Sequence, residues 1–408
     1  MNYITRHAER KFTKMSNFFK AVLVTGARQV GKTTMLRHLA NGQNRTYVTL
    51  DNLMARNLAK TDPVLFFQTY KPPIIIDEVQ YAPELFSQIK LLCDQSEDTG
   101  QFWLTGSQQF SMMKNVRETL AGRVGILEMY SLSKNEKDNV LFDNVQDFSF
   151  QTLYSRQGQT SKNDVTKVFD HIWRGGMPQV VNADPELLQE YFNTYINTYL
   201  MRDVADLGSI TDTLRFGKFL ISCAALVAKQ VNYKTLADTS EISQPTAKDW
   251  LRLLEGMGII YLLQPYANNR LKRLTKAPKL YFCDTGLAAH LSMWPTSTTL
   301  MNGPESGHYF ENFVVIEMWK SFAYSQSRAN LSYYRDANAK EIDIFVEQNA
   351  LVHPLEIKKS ANPDKREIKK FSLLDKASIE RGCGGIICMC EEVIPIDANY
   401  CFIPCNLI

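Results

Sequence analysis

The sequence predicts an α/β protein of several domains, and three stretches carry that prediction. A short run rich in β-branched residues, 21–25, precedes a glycine loop and then a helical pattern at 35–40. A second β-branched run, 74–76, ends in two acidic residues. Strands that alternate with helices are typical of a parallel sheet covered by helices. Far along the chain, residues 341–358 have the pattern of a β-hairpin that carries charged side chains.

Length and composition are those of an ordinary globular protein. The chain has 408 residues, of which 45% are hydrophobic and 22% are charged, which predicts about two to four domains. The net charge of +3 does not indicate nucleic-acid binding by itself, so any basic surface must be local. Residues 1–19 lack a signal-peptide core, and the longest apolar run, 219–228, is too short to span a bilayer. We therefore expect a cytoplasmic protein without a membrane partner.

The glycine loop matches the pattern G-x-x-x-x-G-K-[ST], which wraps nucleotide phosphates in backbone N–H groups. The candidate ATP-binding residues are Gly26, Ala27, Arg28, Gln29, Val30, Gly31, Lys32, Thr33 and Thr34. In this pattern the lysine reaches the β- and γ-phosphates, and the hydroxyl of Thr33 binds Mg²⁺. The predicted cofactors are ATP and Mg²⁺. The alternative, a glycine turn with a solvated lysine, is disfavoured by the flanking strand and helix.

Two acids mark a second part of the same predicted site. Asp77 and Glu78 directly follow the buried run 74–76, and ligands of open parallel sheets bind at the carboxyl ends of strands. Asp77 would hold Mg²⁺ through water, and Glu78 would act as the general base that polarises the attacking water. A further strand, 101–105, leads to Ser107, whose hydroxyl could sense the γ-phosphate. The alternative is a strand end with two solvated acids.

Two arginines follow these strands. Arg117 and Arg123 are candidate phosphate sensors, or fingers that act on a neighbouring subunit. The second role would require a homo-oligomer. A surface salt bridge is an equally good interpretation of each arginine.

Together these motifs resemble a family of prokaryotic AAA-type ATPases whose C-terminal half is the DUF4143 region. The resemblance rests on the loop Gly26 to Thr34 and on residues 76–80, 104–107 and 120–123. It extends from about residue 12 to residue 360. It implies a sheet with the AAA+ strand order, which periodicity cannot show. Residues 174–178 and 279–287 also match elements of this family, without a chemical reason that the sequence makes visible.

The middle of the chain predicts a helix-turn-helix. Residues 232–237 and 243–254 have the patterns of two short helices, and 259–263 that of a strand, which together indicate a winged helix-turn-helix. The candidate DNA contacts are Thr246, Lys248 and Arg252 on the second helix, and Arg270, Lys272 and Arg273 in the following loop or wing. The alternative is a winged helix that serves only packing or oligomer contacts.

The hairpin at 341–358 places Asp343 on one strand and Glu356 and Lys358 on one face of the other. The set resembles the restriction-endonuclease-like core D-x(n)-E-x-K, with Glu311 supplied by a predicted amphipathic helix at 307–321. In such a site the carboxylates bind Mg²⁺, and the lysine orients a water or steadies the phosphate. The alternative is an exposed hairpin with an ion pair.

These interpretations divide the chain into four regions. We expect a P-loop ATPase domain at 1–133, a polar helical connecting region at 134–210, a winged helix-turn-helix region at 211–300 and a restriction-endonuclease-like domain at 301–408. The first hypothesis is an AAA-type protein that binds and hydrolyses ATP and couples its nucleotide state to a C-terminal half acting on double-stranded DNA. The second is a Mg²⁺-dependent DNA endonuclease gated by ATP. The third is a nucleotide-switched scaffold or regulator without DNA activity.

Overall fold

The structure is a computed structural model. It describes residues 3–106, 119–142, 146–201, 204, 212–266, 277–325, 329–336, 340–377 and 380–408. Over these ranges, no helix is both long enough and apolar enough to cross a membrane. Five residues with predicted roles lie outside the described residues, so their roles stay predictions. They are Ser107, Arg117, Arg270, Lys272 and Arg273.

The chain divides into two compact units, Met1–Leu132 with Leu253–Ile259 and Ser133–Arg252 with Ile260–Ile408. The first unit contains a parallel sheet. Its strands are β1 (Ala21–Thr25), β2 (Thr46–Thr49), β3 (Ile74–Asp77), β4 (Phe102–Thr105) and β5 (Val124–Glu128). Its helices are α1 (Ala8–Ser16), α2 (Lys32–Leu39), α3 (Leu53–Thr61), α4 (Pro63–Thr69) and α5 (Leu85–Gln95).

The order of these strands is β2-β3-β4-β1-β5, and the neighbours are parallel. This is the AAA+ order that the family resemblance implies. Every residue of β1 and β3 is buried, which explains why both strands are almost wholly apolar and β-branched, as in parallel sheets covered on both faces. Because the strands are parallel, the carboxyl ends of β1, β3 and β4 meet at one edge of the sheet.

The second unit begins with helices. These are α6 (Lys134–Lys137), α7 (Phe150–Gln157), α8 (Val165–Arg174), α9 (Pro185–Thr194), α10 (Thr213–Ala224), α11 (Tyr233–Ser240) and α12 (Gln244–Gly256), with a π-helical turn, Tyr195–Leu200, after α9. The end of α12, from Leu253 on, is counted with the first unit. A small antiparallel sheet follows, in the order β6-β8-β7. Its strands are β6 (Lys229–Gln230), β7 (Ile260–Leu263) and β8 (Lys279–Phe282).

The rest of the second unit is a mixed sheet preceded by three helices. The helices are α13 (Thr285–Leu291), α14 (Ser297–Asn302) and α15 (Ser306–Tyr324). The strands are β9 (Asn330–Arg335), β10 (Glu341–Gln348), β11 (Leu351–Ile357), β12 (Gly384–Cys388), β13 (Ile394–Pro395) and β14 (Tyr400–Pro404), with a 3₁₀ segment at Lys365–Ala377. Among the described residues the strand order is β13-β14-β12-β11-β10-β9.

Helix α15 differs from the amphipathic helix predicted at 307–321. It runs from Ser306 to Tyr324 and buries residues on all of its faces. The polar side chains inside it are paired rather than solvated. Asn312 exchanges two hydrogen bonds with the backbone of Phe282, at 2.7 and 3.0 Å. Because polar residues such as Asn312, Glu317 and Lys320 are buried along with the apolar ones, the prediction of an amphipathic helix was wrong.

The polar stretch after residue 134 is also more buried than its composition suggests. The side chain of Asn135 donates to the carbonyl of Ile408 at 2.7 Å, and Arg156 donates to the carbonyl of Leu407 at 2.8 Å. Arg156 is 1% exposed. Polar side chains in this stretch therefore satisfy backbone acceptors near residue 408 instead of facing water.

Candidate nucleotide site and carboxylate cavity

The glycine loop between β1 and α2 has a backbone that only glycine can follow at two positions. Gly26 has φ +139°, and a Cβ built on it would lie 2.0 Å from the carbonyl oxygen of Met129. Gly31 has φ +98° where α2 begins. Both values lie in the left-handed region that side chains disfavour. The two glycines of the motif are thus required by the shape of the loop before any ligand is considered.

Lys32 lies over this loop. Its side chain is buried, and its ammonium donates to the carbonyl oxygens of Gly26 at 3.1 Å and Ala27 at 2.8 Å. The first turn of α2 contributes backbone N–H groups that have no partner within the helix. Fixed positive charge and amide dipoles therefore converge on one point of the loop, where they can bind an anion such as a nucleotide phosphate.

Thr33 and Asp77 are brought together as the motif predicts. The Thr33 hydroxyl donates to Oδ1 of Asp77 at 2.6 Å, and Tyr47 donates to Oδ2 of the same carboxylate at 3.2 Å. Hydroxyl and carboxylate oxygens belong to the hard ligands that Mg²⁺ takes in proteins. The residues present therefore fit a magnesium ion held between α2 and β3.

Glu78 follows β3 in a left-handed conformation, with φ +58°. Its backbone N–H donates to the Thr105 hydroxyl at 3.1 Å, and its carboxylate accepts a hydrogen bond from Gln80. The same Thr105 hydroxyl also bonds to Asp77. Non-glycine residues in this conformation cluster at functional sites. Thr105 and Gln80 thus position both acids, a role that sequence reasoning missed although Thr105 directly precedes the Gly106-Ser107 motif.

Arg6 is a further residue that the sequence did not reveal. Its side chain is 4% exposed. The guanidinium donates at 2.7 Å to the carbonyl of Val30 within the loop, and at 2.7 Å to the carbonyl of Tyr130 after β5. One arginine therefore ties the glycine loop to the chain beyond the edge strand. No local sequence pattern indicates this role of Arg6, because its partners are distant in sequence.

Arg123 lies away from the glycine loop of its own chain. It precedes β5, whose first residue, Val124, pairs with Ala21 at the amino end of β1. The loop follows the opposite end of β1, about 13–17 Å away for a strand of this length. Arg123 instead forms an ion pair with Asp94, with Nε 2.5 Å from Oδ1. This position does not favour a sensor role within the same chain, and both the sensor role and the role of a finger toward a neighbouring subunit stay predictions.

A cavity of about 530 Å³ opens beside the hairpin β10–β11. Asp343, Glu356 and Lys358 all line it, as the hairpin register predicts. The ammonium of Lys358 lies 2.7 Å from Oε1 of Glu356 and 4.0 Å from Oδ2 of Asp343. The other lining residues are Lys340, Glu341, Lys369, Lys370, Ser372 and Leu373. The cavity therefore combines buried acids with a rim of lysines.

Glu356 is the most deeply buried acid of this cavity, at 1% exposure. Burial, together with the charge of Asp343, raises its pKa to about 7, although Lys358 and Lys370 act in the opposite direction. Its Oε1 accepts from both lysines at 2.7 Å. Its Oε2 is buried and accepts no hydrogen bond from the described residues. An orphaned carboxylate oxygen beside Asp343 fits a metal ligand pair.

Glu311 does not line this cavity. Its Oε1 accepts hydrogen bonds from the ammonium of Lys279 and from the hydroxyl of Tyr281, each at 2.8 Å. Burial and the nearby charge of Asp343 raise its pKa to about 7. The structure thus brings Glu311 near Asp343, as the resemblance implies, but engages it with β8. The role of Glu311 as the helix acid of a nuclease-like site stays a prediction.

The predicted DNA contacts on α12 have mixed environments. Lys248 is exposed and lies 5.1 Å from the centre of the Tyr233 ring. Arg252 is exposed and pairs with Asp249 at 3.2 Å. The Thr246 hydroxyl lies 2.7 Å from that of Ser243 at the start of the helix, so it serves the helix cap. Contact with DNA stays a prediction for all three.

Two family elements without an obvious role in the sequence meet in the structure. The carboxylate of Asp284 accepts from the backbone N–H of Gly176 at 2.8 Å and from that of Leu287 at 3.1 Å. A Cβ on Gly286 would lie 2.5 Å from the carbonyl oxygen of Arg174. The Arg-Gly-Gly turn after α8 and the Asp-Thr-Gly start of α13 therefore interlock, which accounts for both elements by packing alone.

A parallel sheet with a glycine loop after the buried strand β1, and with the Thr33–Asp77 pair beside that loop, defines the class of P-loop nucleotide-binding proteins. Comparison with known families agrees: residues 18–137 match the AAA domain family AAA_14. Residues 306–408 match DUF4143 and residues 165–298 match DUF8612, both domains of unknown function. The chain therefore carries an AAA-type P-loop ATPase domain, followed by helical and C-terminal sheet regions that end in a DUF4143 region.

Similar proteins occur in several microorganisms. An uncharacterized protein of Mycobacterium tuberculosis is 27% identical over 373 residues, covering 91% of this chain and 77% of the relative. An uncharacterized protein of Haemophilus influenzae is 23% identical over 365 residues, covering 84% and 82%. A solved structure of a Walker-type ATPase of Pyrococcus abyssi is similar with a TM-score of 0.45 and 16% identity, covering 71% of this chain and 96% of that one. The solved structure of the Thermotoga maritima RuvB Holliday junction branch migration motor is similar with a TM-score of 0.32 and 13% identity, covering 64% of this chain and 90% of that one.

Proposed function

We propose that this protein hydrolyses ATP at the glycine loop and uses its nucleotide state to control a C-terminal half that acts on DNA. The observation that carries the first part is the contact between Thr33 and Asp77, 2.6 Å, beside the buried ammonium of Lys32. It supplies a hydroxyl, a carboxylate and a cation at one end of a parallel sheet, which are the groups that a magnesium-bound triphosphate needs.

Each residue has a separate task in this mechanism. Lys32 and the loop amides bind the β- and γ-phosphates, and Thr33 and Asp77 hold the magnesium ion. Mg²⁺, when bound, neutralises the charge that develops between the phosphates. Glu78 accepts a proton from the attacking water, and Gln80 orients its carboxylate. Thr105 fixes the backbone of Glu78 relative to Asp77.

The test of hydrolysis is steady-state ATP turnover by the full chain. Glu78→Gln should retain ATP binding and lose turnover by at least about 100-fold, the usual contribution of general base catalysis. Glu84→Gln, an exposed acid at the start of α5, is the matched control and should turn over normally. Equal turnover in Glu78→Gln and the control would remove the ATPase proposal.

The DNA part of the proposal rests on exposed cations in the second unit. Lys248 and Arg252 project from α12, which follows α11 and precedes the antiparallel strands β7 and β8, the element order of a winged helix. DNA-cellulose retention at increasing salt tests it, because phosphate contacts make binding steeply salt-dependent. Lys248→Ala/Arg252→Ala should elute at lower salt than the control Lys60→Ala/Lys90→Ala.

A Mg²⁺-dependent endonuclease gated by ATP is a second candidate, favoured by the cavity that unites Asp343, Glu356 and Lys358. Supercoiled plasmid incubated with and without ATP tests it, with Asp343→Ala as the inactive variant and Asp364→Ala as the exposed control. Cutting that survives Asp343→Ala would reveal a contaminant. A protein that neither cuts nor binds DNA, but hydrolyses ATP, would be the nucleotide-switched regulator.

A further inference from the structure

A lysine of the small sheet, Lys279, lies among a group of acids that comprises Glu311 of α15 and Glu341, Asp343 and Glu356 of the hairpin β10–β11. The ammonium of Lys279 is 2.8 Å from Oε1 of Glu311 and 2.5 Å from Oε1 of Glu341. Its side chain is only 5% exposed. Tyr281, two residues further along β8, donates to the same oxygen of Glu311 at 2.8 Å. A cation of the chain itself therefore neutralises acids that the hairpin and α15 bring together.

Lys279 is held in this position by more than its ion pairs. It is the first residue of β8 and pairs with Gln230 of β6 and Leu263 of β7. Gln230 donates to the hydroxyl of Tyr333 at 2.9 Å, and that hydroxyl donates to the carbonyl of Ala277 at 2.5 Å. Contacts on both sides of Lys279 thus fasten the small sheet to β9. The ammonium is a fixed part of the site rather than a mobile surface charge.

We propose that Lys279 takes the place of a divalent metal ion beside Glu311 and keeps metal ions away from that acid. A magnesium ion bound to Oε1 of Glu311 would lie about 2.0–2.1 Å from the oxygen. The ammonium at 2.8 Å and the hydroxyl of Tyr281 already occupy that oxygen, and a second cation there would meet like charge. The inference rests on the proposed nuclease-like site only in that both involve the same group of acids.

The other side of the group is different. Glu356 has a buried oxygen without a hydrogen-bond donor among the described residues, and Asp343 lies near it across the hairpin. No cluster of three or more His, Cys, Asp or Glu suited to a metal occurs in the part of the chain that the structure describes. Among these acids we expect a metal ion at Asp343 and Glu356, and not at Glu311, which is paired with Lys279.

Binding of Mn²⁺ alone to the full chain, measured by electron paramagnetic resonance without nucleotide, tests the proposal. All variants carry Asp77→Asn, which removes the carboxylate from the metal ligands of the nucleotide site. With Lys279 present, Glu311→Gln should change the Mn²⁺ dissociation constant by less than twofold. Lys279→Met should create a site at least tenfold tighter, and adding Glu311→Gln to Lys279→Met should abolish that gain.

Two outcomes would overturn the proposal. One is a clear loss of Mn²⁺ affinity on Glu311→Gln while Lys279 is intact, which would mean that metal reaches Glu311 despite the lysine. The other is a Lys279→Met protein that has a normal circular dichroism spectrum but no new Mn²⁺ site. If Lys279→Met does not fold, the first comparison decides. None of these readouts depends on ATP turnover or on DNA cutting, so a failure of the proposed function is recognised separately.

Discussion

The hydroxyl of Thr33 donates a 2.6 Å hydrogen bond to the carboxylate of Asp77, although 44 residues separate them in sequence. The contact exists because α2 starts directly after the loop that follows β1, while β3 ends at the same sheet edge. Both oxygens are therefore set in place by backbone elements before a ligand arrives. Such preorganisation lowers the cost of binding magnesium and triphosphate together.

Lys32→Ala should abolish ATP binding. The ammonium lies within the loop, and its removal takes away charge-assisted hydrogen bonds to phosphate, which contribute about 1.5–3 kcal/mol each. We expect the dissociation constant for ATP, measured by titration calorimetry, to increase at least about 100-fold. Lys60→Ala, an exposed lysine on α3, controls for the loss of a positive charge. Unchanged affinity in Lys32→Ala would place the nucleotide elsewhere.

Arg6→Ala should loosen the glycine loop without touching the nucleotide. Two carbonyls, those of Val30 and Tyr130, lose charged donors in a buried place, and we expect a destabilisation of roughly 2–4 kcal/mol. The KM for ATP should rise, and Arg6→Lys should recover part of the loss. The measurements are thermal unfolding and steady-state kinetics, with the exposed Arg10→Ala as control. A normal KM combined with a normal melting temperature would contradict the role assigned to Arg6.

The sequence predicted what depends on local backbone chemistry. The loop from Gly26 to Thr34 needs glycine where its backbone has positive φ, at Gly26 and Gly31, and buried parallel strands are visible as β-branched runs. Sequence reasoning missed contacts between distant residues. Arg6 binds a carbonyl 24 residues away and another 124 residues away, and nothing in its neighbourhood marks it among other arginines.

The group of acids around Lys279 also shows that contacts between distant residues were not predictable from the sequence. The hairpin spacing predicted that Glu356 and Lys358 share a face of one strand, with Asp343 on the other strand, because alternation along strands is a local rule. The partner of Glu311 was not predictable in this way, since Lys279 lies 32 residues earlier and in another sheet. Burial of polar residues along α15 likewise depends on what packs around the helix, which periodicity does not contain.

The stability of the second unit should depend on pH through Glu356. Its pKa in the fold is raised to about 7 from an ordinary value of 4.5. The contribution of this carboxyl group to the free energy of unfolding is therefore fully present below pH 4.5 and is lost as the pH rises through about 7. The melting temperature of the wild type should therefore fall more between pH 5 and 8 than that of Glu356→Gln. The exposed Glu97→Gln is the control and should follow the wild type. Parallel curves for the wild type and Glu356→Gln would refute the buried, protonated acid.

Gly286→Ala should disrupt the joint between α8 and α13. The new Cβ would lie 2.5 Å from the carbonyl oxygen of Arg174 and 2.7 Å from the backbone nitrogen of Gly175. Both contacts are to backbone, which cannot move aside as a flexible side chain would, so we expect a loss of about 1–3 kcal/mol or more.

Gly307→Ala makes the same chemical change in α15, where a Cβ meets nothing within 4 Å. That variant should be neutral or gain up to about 1 kcal/mol from helix propensity. Thermal unfolding of the two variants side by side separates the effect of the joint from that of an added methyl group. Equal melting temperatures would show that the Arg-Gly-Gly turn and α13 do not pack as closely as the backbone distances require. Packing would then not explain why both family elements occur, and ligand binding would be the next explanation to test.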